Sequence, residues 1–176
     1  MNSDPHSGAS VPPGGPALGI SVVIAGLDVA DGEDALRSVA GRLLDQAAVT
    51  VDFPEALRRR EQRFPTGLPT PIPTAIPHAD PEHVLTPGLA LATFVRPVPF
   101  GEMGGDGGTV GVRLMAMPLL ADASAHLAAL QRLMALLRDQ SAVQDLIDAP
   151  DEQQLRERAT HHLTVPTPNS PGQDVQ

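Results

Sequence analysis

The segment 74–80, Thr-Ala-Ile-Pro-His-Ala-Asp, presents one histidine, His78, directly after a proline. Proline restricts the backbone that enters this histidine, and the prolines at positions 69, 71 and 73 stiffen the loop before it. An imidazole nitrogen can serve as a nucleophile or as a base near neutral pH. A stiff loop that presents one imidazole therefore indicates chemistry at His78.

A second histidine, His126, falls near the start of the helix that apolar periodicity predicts over residues 123–138, with Asp122 as its N-cap. It shares a helical face with leucines of that helix, so its ring is predicted to point toward the core. The unpaired amides at a helix start favour a bound anion and a neutral imidazole, which can donate one hydrogen bond to a phosphate oxygen. Position alone favours another interpretation, a half-buried histidine whose hydrogen bonds are satisfied within the fold.

Arginines stand at positions 58, 59, 60 and 63, on a predicted helix over residues 53–63 that ends just before the proline-rich loop. Guanidinium groups hold phosphate in a planar fork, so one of these side chains could reach across the loop to an anion on His78. For most of them a solvated, charged helix face is the simpler interpretation. The pattern alone does not choose among the arginines.

Residues 78–83 combine two histidines with the acids Asp80 and Glu82, and such a set could chelate a divalent cation. The spacing matches neither a metalloprotease motif nor a pair one helical turn apart, and Pro81 breaks a helix here. The sequence therefore disfavours a metal site, and His83 is predicted to be an exposed loop residue.

Two other patterns lack features that their chemistry requires. The glycine-rich segment 101–108 has no Lys-Ser/Thr ending and precedes a predicted strand rather than a helix, so it does not match a phosphate-binding loop. Ser124 lacks the glycine-flanked elbow of a hydrolase nucleophile. His161 and His162 are most simply the frayed end of a helix.

Composition narrows the class of protein. The chain has 176 residues and no cysteine, which excludes disulfides and a cysteine nucleophile. Its net charge is −9, its 12 basic residues are all arginine, and it has neither tryptophan nor tyrosine, so it lacks the surface of a nucleic-acid-binding protein. No apolar run approaches the ~20 residues of a membrane span, and residues 1–16 do not match a secretory signal. These features predict a soluble, cytoplasmic protein.

The pattern along the chain predicts one α/β domain over residues 18–163, between disordered tails at 1–17 and 164–176. Predicted strands cover residues 20–25, 89–95 and 110–117, and the prolines at 97, 99 and 118 are expected to end the second and the third. Predicted helices cover residues 33–48, 53–63, 123–138, 142–148 and 151–160, with Asp31 as the N-cap of the first.

Several segments in a fixed order resemble a known family; they are Arg60-Glu61, Phe64-Pro-Thr-Gly-Leu68, Ala75-Ile-Pro-His78, Arg96-Pro-Val-Pro-Phe100 and His126-Leu-Ala-Ala-Leu130. Together they resemble the enzyme IIA component of the bacterial phosphoenolpyruvate-dependent sugar phosphotransferase system, in its fructose–mannitol superfamily, over about residues 26–158. The segment 64–68, with Glu102-Met103-Gly104, is similar to the galactitol-type branch. The resemblance implies an α/β fold with a mixed sheet flanked by helices.

The resemblance also implies roles for individual residues. His78 matches the histidine that receives a phosphoryl group from the phosphocarrier HPr and passes it to an enzyme IIB. His126 matches the histidine that hydrogen-bonds this group, and Arg60 matches the arginine that steadies it. The implied transferase uses no cofactor or metal and works beside a membrane IIC permease. The loop 61–75 is longer and richer in proline than in mannitol-type members, and the family offers no role for Asp80.

Two other functions remain open at this point. A regulatory protein of the same fold, like the nitrogen-type enzyme IIA, would use the same phosphohistidine to change partner binding rather than to drive sugar uptake. A non-catalytic binding module would keep the fold without the chemistry, although the presence of His78, Arg60 and His126 argues against it.

Overall fold

The computed structural model describes residues 17–164, and its centre is a mixed sheet of five strands. The strands are β1 (Ile20–Leu27), β2 (Gly67–Leu68), β3 (Thr74–Ala75), β4 (Gly88–Gly101) and β5 (Thr109–Leu119). Their order across the sheet is β1-β4-β5-β3-β2; β1 runs parallel to β4 and β3 parallel to β5, and the other neighbours are antiparallel. The predicted α/β domain with a mixed sheet is confirmed. The predicted tails lie outside the described residues, apart from one residue at the inner end of each.

Among the described residues, five α-helices flank the sheet; they are α1 (Gly32–Asp45), α2 (Phe53–Arg63), α3 (Leu127–Arg138), α4 (Gln140–Ile147) and α5 (Glu152–Thr164). Asp31 caps α1 as predicted, since its Oδ1 accepts a hydrogen bond from the amide of Asp34. The predicted bounds of α2 are correct. A short 3-10 turn, Pro81–His83, follows the segment that holds His78.

Four of the five helices have bounds that differ from the prediction; α4 was predicted over residues 142–148 and α5 over 151–160. Two of the differences, at the end of α1 and at the start of α3, have a visible cause. α1 ends at Asp45 rather than at residue 48, because Ala47 has a positive φ of 53°, outside the range of a right-handed helix. α3 begins at Leu127 rather than at residue 123. The carboxylate of Asp122 accepts hydrogen bonds from the amides of Ser124 and the following residue, so it closes a turn ahead of the helix instead of capping the helix itself.

Each face of the sheet covers its own hydrophobic core. Residues of α1 and α2 pack on one face, and residues of α3, α4 and α5 pack on the other. The side chains of β4 alternate between the two, with Ala90, Ala92 and Phe94 in the first core and Leu89 and Leu91 in the second. A strand that is buried on both faces reads as a continuous apolar run, which is why the sequence predicts it easily.

β4 and β5 continue through prolines that the sequence predicts to end them. β4 includes Pro97 and Pro99, and β5 includes Pro118. The pairs between β4 and β1 end at Phe94, and those between β5 and β3 end at Met115, so beyond these points each strand keeps only its pairing with the other. A proline nitrogen can then face the unpaired side without removing a hydrogen bond from the sheet.

The proline-rich loop contains two short strands that the sequence does not predict, β2 and β3. They pair with each other, and β3 also joins β5 in parallel. Because parallel strands point the same way, the chain after β3, which leads to His78, and the chain after β5, which leads to His126, leave the sheet toward the same end. The fold thus ties the loop ahead of His78 to the central sheet.

Candidate active site

The ring of His78 is half-buried and held through one nitrogen by its own backbone segment. Its Nδ1 lies 2.9 Å from the carbonyl oxygen of Ile76. A carbonyl oxygen only accepts hydrogen bonds, so the hydrogen of the neutral ring is on Nδ1. The lone pair is consequently on Nε2, which makes Nε2 the nucleophilic atom of this side chain.

Arg60 reaches the free nitrogen of His78 from the last turn of α2. Its Nη2 lies 3.3 Å from Nε2 of His78, and its Nη1 lies 2.7 Å from Oδ1 of Asp80. The longer loop between α2 and β3 therefore does not prevent this arginine from meeting the histidine. A group bound at Nε2 would lie beside a permanent positive charge.

Glu61 fixes the start of the loop to α2. Its two carboxylate oxygens accept hydrogen bonds from the amide of Thr66 at 2.9 Å and from the Thr66 hydroxyl at 2.8 Å. Burial raises the pKa of the Glu61 carboxyl above its ordinary value, while the hydrogen bonds from Thr66 act in the opposite direction. The carbonyl of Thr66 then accepts from the amide of Ile76 at 3.2 Å. Hydrogen bonds thus connect Glu61 of α2, through Thr66, to Ile76, whose own carbonyl orients the ring of His78.

Gly67 and Gly101 let the loop approach the β4–β5 hairpin closely. A Cβ on Gly67 would lie 2.5 Å from the carbonyl oxygen of Gly101 and 2.7 Å from Cγ2 of Val110. A Cβ on Gly101 would lie 2.8 Å from Cβ of Pro65. All three distances are far below van der Waals contact, so only glycine fits at these positions without a shift of its neighbours. This explains the glycine in the Phe-Pro-Thr-Gly-Leu segment.

His78 faces an open cleft of about 570 Å³ between the end of α2 and the β4–β5 hairpin. Arg60 and Arg63 line one side of it, and Phe64 and Met103 line it with exposed apolar surface. The guanidinium of Arg63 lies over the ring of Phe64, 5.4 Å from its centroid. An imidazole lone pair beside the guanidinium of Arg60, with Arg63 lining the same cleft, suits the acceptance of a small anionic group.

His126 occupies the N-cap position of α3 and lies outside the residues that line this cleft. Its half-buried ring places Nδ1 3.1 Å from the carbonyl oxygen of Asp122. Among the hydrogen bonds of residues 17–164, none joins His126 to His78 or to Arg60. The structure therefore brings Arg60 into contact with His78, and among the described residues no hydrogen bond joins His126 to either of them.

The contact of His126 indicates the tautomer of its ring. Because a carbonyl oxygen occupies Nδ1, a neutral ring carries its hydrogen on Nδ1 and its lone pair on Nε2. A neutral ring would therefore donate to a phosphate oxygen from Nδ1, in place of the Asp122 carbonyl. The predicted role of His126 as a hydrogen-bond donor to the phosphoryl group stays a prediction.

The remaining arginines and His83 have other partners. Arg58 and Arg59 both bind Glu55, and together they lower the pKa of that carboxyl to about 2. His83 is not the exposed loop residue that the sequence predicts, since only 15% of its side chain is exposed. Its Nδ1 lies 3.3 Å from the Thr50 hydroxyl and its backbone carbonyl accepts from the amide of Thr50.

Metal binding and membrane insertion are both disfavoured by the sequence, and the structure of residues 17–164 bears on each. In residues 17–164 no three His, Asp or Glu side chains come together in a way that could hold a metal ion. Of the acids in the 78–83 segment, Asp80 binds Arg60, and Oε1 of Glu82 lies 3.4 Å from Nε2 of His83. No helix in this part of the chain has the length and apolar character needed to cross a membrane.

Comparison with known families identifies the class to which this fold and site belong. The family model described as phosphoenolpyruvate-dependent sugar phosphotransferase system, EIIA 2, matches residues 18–161. The chain belongs to this family of phosphotransfer proteins. The resemblance read from the sequence is confirmed at this level, while the galactitol-type branch stays a prediction. No curated protein sequence matches the chain significantly.

Solved structures of enzyme IIA proteins share the fold. IIA mannitol from Escherichia coli is 23% identical with a TM-score of 0.63, over 78% of this chain and 95% of that chain. The complex of enzyme IIA mannitol with phosphorylated enzyme IIB mannitol, also from Escherichia coli, gives 24% identity and a TM-score of 0.65, over 82% and 97%. Nitrogen regulatory protein IIA-Ntr from Neisseria meningitidis gives 22% and 0.60, over 78% and 92%. At these identities the likeness establishes the fold alone.

Proposed function

We propose that His78 accepts a phosphoryl group on Nε2 from phosphorylated HPr and passes it to a sugar-specific enzyme IIB. One observation carries the proposal. The Ile76 carbonyl holds the proton on Nδ1, so the lone pair of Nε2 faces the guanidinium of Arg60 at the wall of an open cleft. Nucleophile and cation are both in place before any substrate binds.

The transfer balances without a cofactor. The P–N bond of the donor phosphohistidine breaks as a P–N bond to Nε2 of His78 forms, and Nδ1–H keeps its hydrogen bond to the Ile76 carbonyl. The transferred group spreads negative charge over its oxygens, and catalysis rests mainly on positioning and electrostatics. Arg60 supplies the positive charge beside the transferred group. The reverse step, with an enzyme IIB side chain as the nucleophile, releases the phosphoryl group.

The family and the solved structures support the choice of partners. Family members serve a phosphoenolpyruvate-dependent sugar phosphotransferase system, and a mannitol IIA of the same fold is solved with phosphorylated IIB. The resemblance further predicts a cytoplasmic exchange beside a membrane IIC permease and a galactitol-type sugar. The nitrogen-type regulatory role is a second candidate, because IIA-Ntr shares the fold to a similar degree.

The proposal is tested with labelled phosphoenolpyruvate, enzyme I and HPr. We expect one acid-labile phosphate on the wild-type chain and none on His78→Ala. His83→Ala is the matched control, since His83 belongs to the same segment but binds Thr50; it should keep the label. Label that survives in His78→Ala would contradict the assignment.

The second stage separates transport from regulation. The labelled chain is mixed with a panel of IIB proteins, and transfer to a galactitol-type IIB is expected. A chain that takes the label but passes it to no IIB would favour the nitrogen-type role instead.

A further inference from the structure

Asp80 and His78 hold the same arginine from two sides. Nη1 of Arg60 donates to Oδ1 of Asp80 at 2.7 Å, and Nη2 approaches Nε2 of His78 at 3.3 Å. The guanidinium group is planar and rigid, so the direction of one amino group determines the direction of the other. A carboxylate that fixes Nη1 therefore also aims Nη2.

The backbone of Asp80 is itself fixed close to the nucleophile. Asp80 follows His78 by two positions, and its carbonyl accepts a hydrogen bond from the amide of His83 at 3.1 Å. Pro81 starts the 3-10 turn directly after it. One short stretch of chain thus carries both the nucleophile and the carboxylate beside its cation.

Arg60 has another position available if this carboxylate is removed. Its Cζ already lies 5.8 Å from the centroid of the exposed Phe64 ring, a distance typical of cation–π contact. Only 34% of the Arg60 side chain is exposed, but 61% of Asp80 is, so the ion pair adds little to folding. Its effect is expected on where the guanidinium points.

We propose that Asp80 is a positioning residue, which orients Arg60 so that its Nη2 meets the phosphoryl group at Nε2 of His78. The proposal rests on the function proposed above, because it assigns the role of a further residue in that transfer. Asp80 does not contact the transferred group; it acts through Arg60. Asp80 is the acid of the 78–83 segment that binds Arg60, and the proposal assigns a function to this ion pair.

The test is a double-mutant cycle in the full chain. Single-turnover transfer from phosphorylated HPr is measured for the wild type, Asp80→Ala, Arg60→Ala and the double variant. We expect Asp80→Ala to be about tenfold slower, because a misplaced catalytic group costs rate. The double variant should be no slower than Arg60→Ala alone, since Asp80 acts only through that arginine. Asp80→Asn should recover part of the rate, because its amide oxygen still accepts from Nη1.

The chain offers a matched control in a second Arg–Asp pair. Asp28 binds Arg96 at 2.6 Å and its side chain is also 61% exposed, but the pair joins the residue after β1 to the interior of β4 and does not involve His78 or Arg60. Asp28→Ala should transfer at the wild-type rate, and thermal unfolding should show all variants folded.

Three outcomes would overturn the inference. Asp80→Ala at the wild-type rate, or slowing that multiplies in the double variant, would show that Asp80 does not act through Arg60. Equal slowing in Asp28→Ala would make the effect one of general charge. In each of these cases the wild type still takes phosphate on His78 and the proposed function stands; a wild type that takes none would remove both.

Discussion

His78 and His126 are the same residue type in similar contacts, yet only His78 has an arginine partner. Each ring directs Nδ1 to a backbone carbonyl, of Ile76 and of Asp122 respectively, and a neutral ring then has its lone pair on Nε2. At His78 that lone pair meets the guanidinium of Arg60 in the cleft, whereas His126 does not line the cleft. The carbonyl contact therefore does not distinguish the two histidines; in the function proposed above, the cation opposite Nε2 selects His78 as the acceptor.

Replacing the guanidinium of Arg60 by a point charge should have the largest effect on this difference. Arg60→Lys keeps the charge but loses the fork that binds Asp80 and His78 together. We expect transfer from phosphorylated HPr to slow about 100-fold, within the range for loss of one charge-stabilising donor. Rapid-quench kinetics provide the measurement, and Arg59→Lys, whose arginine binds Glu55, is the control. A rate within twofold of wild type would show that a point charge suffices.

Loosening the loop should reduce stability as well as rate. In Gly67→Ala the new Cβ would meet the Gly101 carbonyl and Val110, so the loop must move away from the hairpin. We expect the free energy of unfolding to fall by about 1–3 kcal/mol, as for overpacking elsewhere. Urea denaturation measures this, and Gly41→Ala, which has open space at its Cβ position, is the control. An unchanged free energy of unfolding would indicate that the β4–β5 hairpin can move to accommodate the new Cβ without loss of stability.

His126 should contribute less. His126→Ala is expected to accept phosphate and to transfer it about tenfold more slowly, because one hydrogen bond to a charged group contributes about 1.5–3 kcal/mol. Single-turnover transfer to an enzyme IIB provides the measurement. His126→Gln, whose amide still donates a hydrogen bond, should recover part of the rate. An unchanged rate in His126→Ala would leave His126 as a structural histidine.

The smallest expected effect concerns the charge of Glu61. Its pKa is raised by burial, so the folded state binds a proton more readily than the unfolded chain does. The wild type should therefore lose stability as pH rises from the unfolded pKa toward the folded one, and Glu61→Gln should lack this contribution. Urea denaturation of both proteins across the acidic range gives the difference. If the wild type instead gains stability relative to Glu61→Gln as pH rises through that window, the pKa of Glu61 is lowered on folding and the prediction is wrong.

Structural features that neighbouring residues determine could be predicted from the sequence, and features that depend on distant partners could not. α2 was predicted with its correct bounds, and Asp31 with its correct capping role, because both follow from neighbouring residues. Pro97, Pro99 and Pro118 misled because a proline ends a strand only where its nitrogen faces a partner, which the sequence does not state. Asp122 was predicted as an N-cap because its carboxylate can accept hydrogen bonds from the amides of a helix start or of a turn, and the sequence does not distinguish the two.

The candidate site also contains residues that the sequence identifies and contacts that only the folded structure shows. The sequence and the family resemblance select His78 and Arg60, which the structure brings together. The contacts of Asp80 and Glu61 depend on how α2 is positioned against the loop 61–75, which the sequence does not specify. The strands β2 and β3 have two residues each and are too short to show any periodicity. The adjacency of Glu61 to Arg60 in the Arg-Glu segment was the one available signal.

The most direct test of the account is to locate the phosphate on the ring. The chain is phosphorylated with phosphoenolpyruvate, enzyme I and HPr, and ¹⁵N–³¹P NMR of histidine-labelled protein identifies the bonded nitrogen. Because the Ile76 carbonyl occupies Nδ1 and Arg60 faces Nε2, the account predicts a single phosphohistidine at Nε2 of His78. Phosphate on Nδ1 of His78, or on His126, would contradict it.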